Sequence, residues 1–169
     1  MTFLPVAAAG APVQERLRRL RNAKPVRMQS FTDHVISRKE HARWIASLRR
    51  SRRTLAMAVM LGGRLVGAVS LHGIDRRAGT AGWSFYVDPA RRGKGLGRRM
   101  LREFVQLAFR EYGLRELHGN VLDANARSVK LHERLGFVRI GPCPARKNGR
   151  AVEASRFALS RQRWRQRHA

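Results

Sequence analysis

A chain of 169 residues is the size of one domain and long enough to bury a core without disulfide or metal staples. Hydrophobic residues make up 43% and no apolar run approaches the roughly 20 residues that span a bilayer; with a single cysteine, Cys143, an internal disulfide is excluded and nothing is offered for a zinc cluster, so a soluble, cytoplasmic protein without membrane or metal is expected. The net charge of +25 attracts phosphate backbones, yet 31 arginines stand against 5 lysines and no zinc-finger spacing, basic zipper or RNA-binding aromatic signature accompanies them, which makes a solvated arginine-rich surface the preferred reading and nucleic acid a disfavoured partner.

In chain order, Thr2 to Val6 reads as a short strand and about Val13 to Arg21 as a helix ending before Pro25. The opening "FLPVAAAGA" is apolar, but no basic residue precedes it and Pro5 interrupts it, so it is read as part of the mature protein. Ser37 and Glu40 form a capping box for a helix running to about Arg50, with Trp44, Ile45 and Leu48 as its apolar stripe. "TLAMAVML" and "RLVGAVSL" flank Gly62-Gly63 as a hairpin. A polar loop, "GIDRRAG", leads to the strand "TAGWSFYV", which Asp88-Pro89 ends. Met100, Leu101, Phe104, Val105, Ala108 and Tyr112 then recur at helical spacing up to Gly113. "ELHGNVL" reads as a strand and Asn125 to Leu135 as a helix stopped by Gly136. "FVRIGPC" and "VEASRFALS" read as a closing pair of strands around a turn at Asn148-Gly149. The last residues, "RQRWRQRHA", read as a frayed basic tail over 161–169. One mixed sheet flanked by helices packs these elements economically.

Between the strand ending at Asp88-Pro89 and the following helix lies "ARRGKGLGRRM". The first turn of a helix carries unpaired backbone N–H groups and the positive end of the dipole, so a phosphate there meets aligned donors. Glycines at 93, 95 and 97 clear side chains from that backbone and permit positive φ, while Arg92, Arg98 and Arg99 add charge. The spacing is not the dinucleotide pattern G-x-G-x-x-G, and Gly97 is followed by Arg-Arg rather than the Lys-Ser/Thr of a nucleotide-triphosphate loop.

With strand, glycine turn and helix in this order, the chain resembles the GCN5-related N-acetyltransferases. Their Arg/Gln-x-x-Gly-x-Gly/Ala motif is matched by Arg92, Gly95 and Gly97, and a second motif downstream is matched by "NARSVKLHERLGF" through Asn125, Ser128, Leu131, Gly136 and Phe137. The resemblance covers roughly Thr2 to Leu159. It implies an α/β fold with a mixed, mostly antiparallel central sheet flanked by helices, a single domain over 1–160, and acetyl-CoA as co-substrate. It also implies that the backbone of Phe85, Tyr86 and Val87 holds the pantetheine arm, that Arg92, Gly93, Lys94, Gly95, Leu96 and Gly97 hold the pyrophosphate, and that Asn125 contacts the coenzyme from the other side. His132 stands where the family commonly has the tyrosine that protonates the departing thiolate. A neutral imidazole can hydrogen-bond sulfur and a protonated one can act as an acid; the alternative is a plain helix-face residue.

The run "RLRRLRNAKPVRMQSFTDHVISRKEHARWIASL" resembles the opening of the sugar N-acetyltransferases that acetylate a 4-amino group on a nucleotide-linked deoxysugar in pseudaminic acid synthesis. That resemblance implies a small, nucleotide-linked amine acceptor held by Arg21, Arg27, Met28, His41 and His72. Two phosphates and a base suit arginines and an aromatic such as Trp44, although Trp44 is assigned to the core. Related enzymes often carry an acidic base on the fourth strand, where this chain has Gly82; His41 and His72 are the candidates left for proton removal. The rivals are a protein N-terminal or lysine acetyltransferase of the ribosomal-protein type, which shares both coenzyme motifs, and a basic nucleic-acid-binding protein, which leaves both motifs without purpose. A homodimer is compatible with the sequence.

Overall fold

Residues 1–168, apart from Arg92 and Lys94, are described by a computed structural model. The expected pyrophosphate contacts of Arg92 and Lys94 therefore lie outside the described residues.

Among the described residues the strands β1 (Thr2–Pro5), β2 (Leu55–Leu61), β3 (Arg64–Asp75), β4 (Thr80–Val87), β5 (Glu116–Leu122), β9 (Ala154–Ser160) and β6 (Val138–Pro142) pair in that spatial order. All pairs are antiparallel except β4 with β5. Helices α1 (Ala11–Asn22), α2 (Lys24–Arg27) and α3 (Arg38–Arg50) precede β2; α4 (Leu96–Arg110) follows β4, α5 (Ala126–Leu135) follows β5 and α6 (Arg161–His168) follows β9.

Strand residues alternate between two faces, and each face has its own core. Leu17 of α1 and Ile45 and Leu48 of α3 pack on Ala56, Ala58, Leu65 and Ala68. On the opposite face Met100, Leu101, Phe104, Val105 and Ala108 of α4 pack on Met57, Val59, Val69, Leu71 and Trp83. This is the mixed, mostly antiparallel sheet between helices that the sequence led us to expect. The tight β2–β3 turn follows from Gly62 and Gly63, both at positive φ (55° and 71°), the conformation a two-residue hairpin turn of matching twist requires. The Ser37–Glu40 capping box forms in both directions.

The first helix ends before Pro25 as expected; Pro25 itself lies in the first turn of α2, where a missing N–H costs nothing. Three expectations need correction. The "GIDRRAG" loop is partly strand, since β3 runs to Asp75. Asn148-Gly149 does not join the two closing strands of the main sheet; it caps a separate hairpin, β7 (Ala145–Lys147) and β8 (Arg150–Val152), inserted between β6 and β9. The stretch expected to fray from residue 161 is α6, because Trp164 is buried and faces Phe109 at 6.4 Å while His168 stacks on its indole at 3.7 Å. No helix among the described residues is long and apolar enough to cross a membrane.

Candidate active site

The parallel pair β4 and β5 is bonded only over Thr80–Gly82 with Glu116–His118. Beyond that point both strands continue, β4 to Val87 and β5 to Leu122, without pairing to each other. Their outer edges remain bonded to β3 and β9, so only the inner edges open into a V. Backbone donors and acceptors that a sheet would otherwise consume are thereby left for a ligand. At the apex sit Trp83 on β4 and Gly119 on β5. Gly119 is required there: a Cβ at that position would stand 2.7 Å from both Trp83 Nε1 and His132 Nε2.

A cleft of about 1160 Å³ runs from this V past the start of α4 and under α1 and α3. At its α4 end, Gly93 and Gly95 adopt positive φ (85° and 71°), and Gly95 is the N-cap. No side chain caps α4 and no acidic residue lies in its first turn, so the first N–H groups, at Leu96, Gly97 and Arg98, stay open to an anion. Phe85, Tyr86 and Val87 line the cleft. Asn125 is the N-cap of α5: its Oδ1 accepts from Ser128 N at 3.1 Å and its Nδ2 reaches Gln29 O at 3.5 Å.

On the α1 and α3 face of the V the walls are His41, Trp44, Ser70, His72, Ser84 and Tyr86. Ser70 and Ser84 are cross-strand partners, as are His72 and Gly82. The His72 ring fills the space above Gly82, where an added Cβ would lie 2.3 Å from its Nε2. Loss of hydration holds His72 below the ordinary imidazole pKa. His41 is buried; desolvation first and the Arg18 charge second lower its pKa, against an opposing pull from Glu15. Trp44, assigned to the core from sequence, is instead 37% exposed at the cleft, 5.3 Å from the His41 ring. Burial raises the Tyr86 phenol pKa well above its usual value, and the nearby Arg21 charge only partly offsets this.

The two arginines expected to bind the acceptor mostly serve the fold. Arg27 donates to Asn22 O at 2.9 Å and to Asp33 O, and Arg21 Nη2 donates to Thr32 O and Oγ1. Asn22 exchanges both its amide groups with Ile36. Together they shape residues 28–36 into a cover over the cleft. Phe31 in that cover packs against Leu122, Cys143 and Ala154, while Lys147 Nζ donates to Met28 O at 2.6 Å and Asn148 Nδ2 to Asp33 at 3.0 Å. Arg21 keeps one buried nitrogen, Nη1, without a hydrogen-bond partner among the described residues. Met28, 46% exposed, lines the mouth. Sequence reasoning missed this cover because two of its anchors, Lys147 and Asn148, lie more than a hundred residues away, in the β7–β8 hairpin.

His132 is 3% exposed and enclosed by Trp83, Phe85, Phe137 and Phe157. Its Nδ1 lies 2.8 Å from Ser128 O; a carbonyl only accepts, so Nδ1 carries the proton and Nε2 a lone pair. Burial pushes its pKa down to about 4, against a small opposing effect of the Ser128 bond. The protonated-acid role open at the sequence level is therefore closed near neutral pH. No group of three His, Cys, Asp or Glu side chains able to hold a metal ion occurs among the described residues.

The splayed parallel pair, the uncapped glycine turn and the helix that follows set an open anion site beside free strand edges. Residues 17–137 match the acetyltransferase (GNAT) family, and the chain belongs to it. Among curated sequences it is similar to the SPbeta prophage-derived uncharacterized N-acetyltransferase YokL of Bacillus subtilis (strain 168), 32% identical over 85 residues, 50% of this chain and 48% of that one. The chain spans about half the length of the curated relatives it matches. The spermidine N-acetyltransferase of Vibrio cholerae, solved with CoA and spermine, has the same fold with a TM-score of 0.86 at 19% identity, over 96% of each chain. The Campylobacter jejuni N-acetyltransferase PseH, solved with acetyl coenzyme A, matches with a TM-score of 0.73 at 16% identity, over 95% of this chain and 98% of that one.

Proposed function

We propose that this protein is an acetyl-CoA-dependent N-acetyltransferase acting by direct transfer on the primary amine of an anionic small molecule, with the 4-amino group of a uridine-diphosphate-linked amino-deoxysugar as the leading acceptor. The observation that carries the acceptor class is charge. Among the described residues lining the cleft there is no carboxylate; Arg21 lines it on the α1 side, and Arg98, Arg127 and Arg134 line it from α4 and α5, on the coenzyme side. A polyamine brings several cations and would find no counter-charge here, while a phosphate on the acceptor side meets the Arg21 guanidinium. Trp44 beside His41 offers a flat apolar face for a base, and Arg21 Nη1 is a buried donor still unpaired.

The residues fit the coenzyme. Free edges of β4 and β5 suit an amide-bearing arm, and the open start of α4 suits a pyrophosphate. When bound, acetyl-CoA supplies an activated acyl carbon, to which the amine nitrogen bonds as the carbon–sulfur bond breaks and the sulfur leaves with the electron pair. The chain positions the amine on the α1 and α3 face and takes up its proton. His72 is the better placed acceptor of that proton, since its ring occupies the volume over Gly82 and is neutral at pH 7; His41 lines the same wall from α3. Orientation alone contributes much of the rate in such a transfer.

The cover argues against the protein-acetyltransferase rival. An extended peptide needs an open groove, and Lys147 and Asn148 tie down residues 28–36, six of which line the cleft. Free-thiol release from acetyl-CoA, offered a uridine-diphosphate-linked 4-amino-deoxysugar beside a basic N-terminal peptide, tests the reading. Turnover with the sugar and not the peptide is expected; turnover with the peptide alone would overturn it.

A further inference from the structure

The apex of the V holds a buried donor, the indole N–H of Trp83. Trp83 is 3% exposed, its indole is fixed by stacking on Phe137 at 4.9 Å and 6°, and its Nε1 has no hydrogen-bond partner among the described residues. An indole N–H can only donate, and a buried donor without a partner is costly unless something completes it. His132 does not complete it, although its unprotonated Nε2 borders the same space, the one a Cβ on Gly119 would fill.

Position argues for what completes it. The acceptor walls, Ser70, His72, Ser84 and Tyr86, are on one face of the sheet, and Trp83, His132 and Leu131 line the cleft from the other. β4 rises about 3.3 Å per residue, so from Val87, beside the open start of α4, an arm following the strand reaches Trp83 about 13 Å further on. An amine adding to the acyl carbon from the α1 and α3 face forms a tetrahedral centre, from which the sulfur leaves along the arm it is joined to, at the edge of β4 beside Trp83. Resting on the acetyltransferase reading above, we propose that the indole N–H of Trp83 is the donor that receives the departing sulfur, in the role the family gives to the residue standing here as His132.

In this step the nitrogen–carbon bond forms, the carbon–sulfur bond breaks, and the electron pair goes to sulfur. The indole donates a hydrogen bond but no proton. The amine's proton passes to the histidine on the acceptor face, and the thiolate, whose thiol is about as acidic as a cysteine's near pKa 8.5, collects a proton from solvent on release. His132 is then a packing and positioning group.

The three tryptophans, Trp44, Trp83 and Trp164, give three indole N–H resonances in nitrogen-15-labelled protein, and Trp83→Phe assigns the relevant one. Titration with CoA is expected to move that resonance downfield, while the analogue lacking the sulfur leaves it near its starting position and still moves the backbone signals of Leu96 and Gly97. Trp83→Phe, which keeps the stacking, is expected to lower kcat about 10- to 100-fold, the worth of one hydrogen bond to a charged group, with KM for both substrates little changed. His132→Phe should leave the alkaline side of the pH profile unaltered. If the Trp83 resonance responds equally to both compounds while Leu96 and Gly97 report binding, the inference fails and the function stands. If neither compound moves Leu96 and Gly97, the acetyltransferase reading fails with it. The experiment on the unmodified protein decides even if the Phe variant does not fold.

Discussion

At the scale of single residues, two histidines with similar labels do opposite things because their surroundings differ. His72 lies at the rim with its ring over a glycine, lowered in pKa but reachable. It can accept a proton only while neutral, so kcat/KM is expected to fall as pH drops, with the limb below the ordinary imidazole value of 6.5 because the shift is downward. His72→Ala should cost about 100-fold in kcat/KM and flatten that limb, whereas His41→Ala should chiefly raise KM for the acceptor. Initial rates across pH separate the two. His132, by contrast, is a stability group. Folded, it stays neutral down to about pH 4; unfolded, it binds a proton near 6.5. The unfolded chain thus takes up more protons as pH falls between those values, and stability is lost through that window, by roughly 3 kcal/mol at its acid end. His41 and His72 shift in the same direction and add to the slope. Thermal unfolding from pH 7 to 4.5 should show the decline, and His132→Phe should flatten much of it; an unchanged slope in that variant would contradict the assignment.

At the scale of elements, what the sequence revealed and what it concealed divide by contact range. Local rules found the Ser37–Glu40 capping box, the Gly62-Gly63 turn and both boundaries of β4 and β5. The glycine turn was legible because strand, positive-φ glycines and amphipathic helix are consecutive. The V itself was not, since it depends on where pairing of β4 with β5 stops, after Gly82 and His118, a contact between strands more than thirty residues apart. Nor was the cover over 28–36: Arg21 and Arg27 read as ligand contacts, but the chain uses their donors on Thr32, Asn22 and Asp33. Trp164 read as part of a tail because seven of its neighbours are polar or basic; one buried indole makes that stretch a helix. The cover makes a specific prediction. Phe31 fixes it to Leu122, Cys143 and Ala154, so Phe31→Ala should raise KM for the acceptor about tenfold and leave the Kd for CoA, measured by calorimetry, within about twofold, since Phe31 is not among the groups proposed to hold the coenzyme.

At the scale of the whole molecule, a chain of net charge +25 encloses a cleft without a described carboxylate, and both features point the same way. The field of the protein repels polycations before they arrive and draws in phosphorylated molecules, and the cleft then has arginines but no counter-ion for an extra ammonium group. Likeness of fold to a spermidine enzyme does not transfer that chemistry, because acceptor choice resides in the side chains of the walls and not in the sheet. The central claim is this preference, and the most direct measurement is kcat/KM at low ionic strength for a uridine-diphosphate-linked 4-amino-deoxysugar against spermidine, each with saturating acetyl-CoA. A ratio of at least about 100 in favour of the nucleotide-linked amine is expected, shrinking as salt screens the charges; a ratio that favours spermidine would overturn the preference.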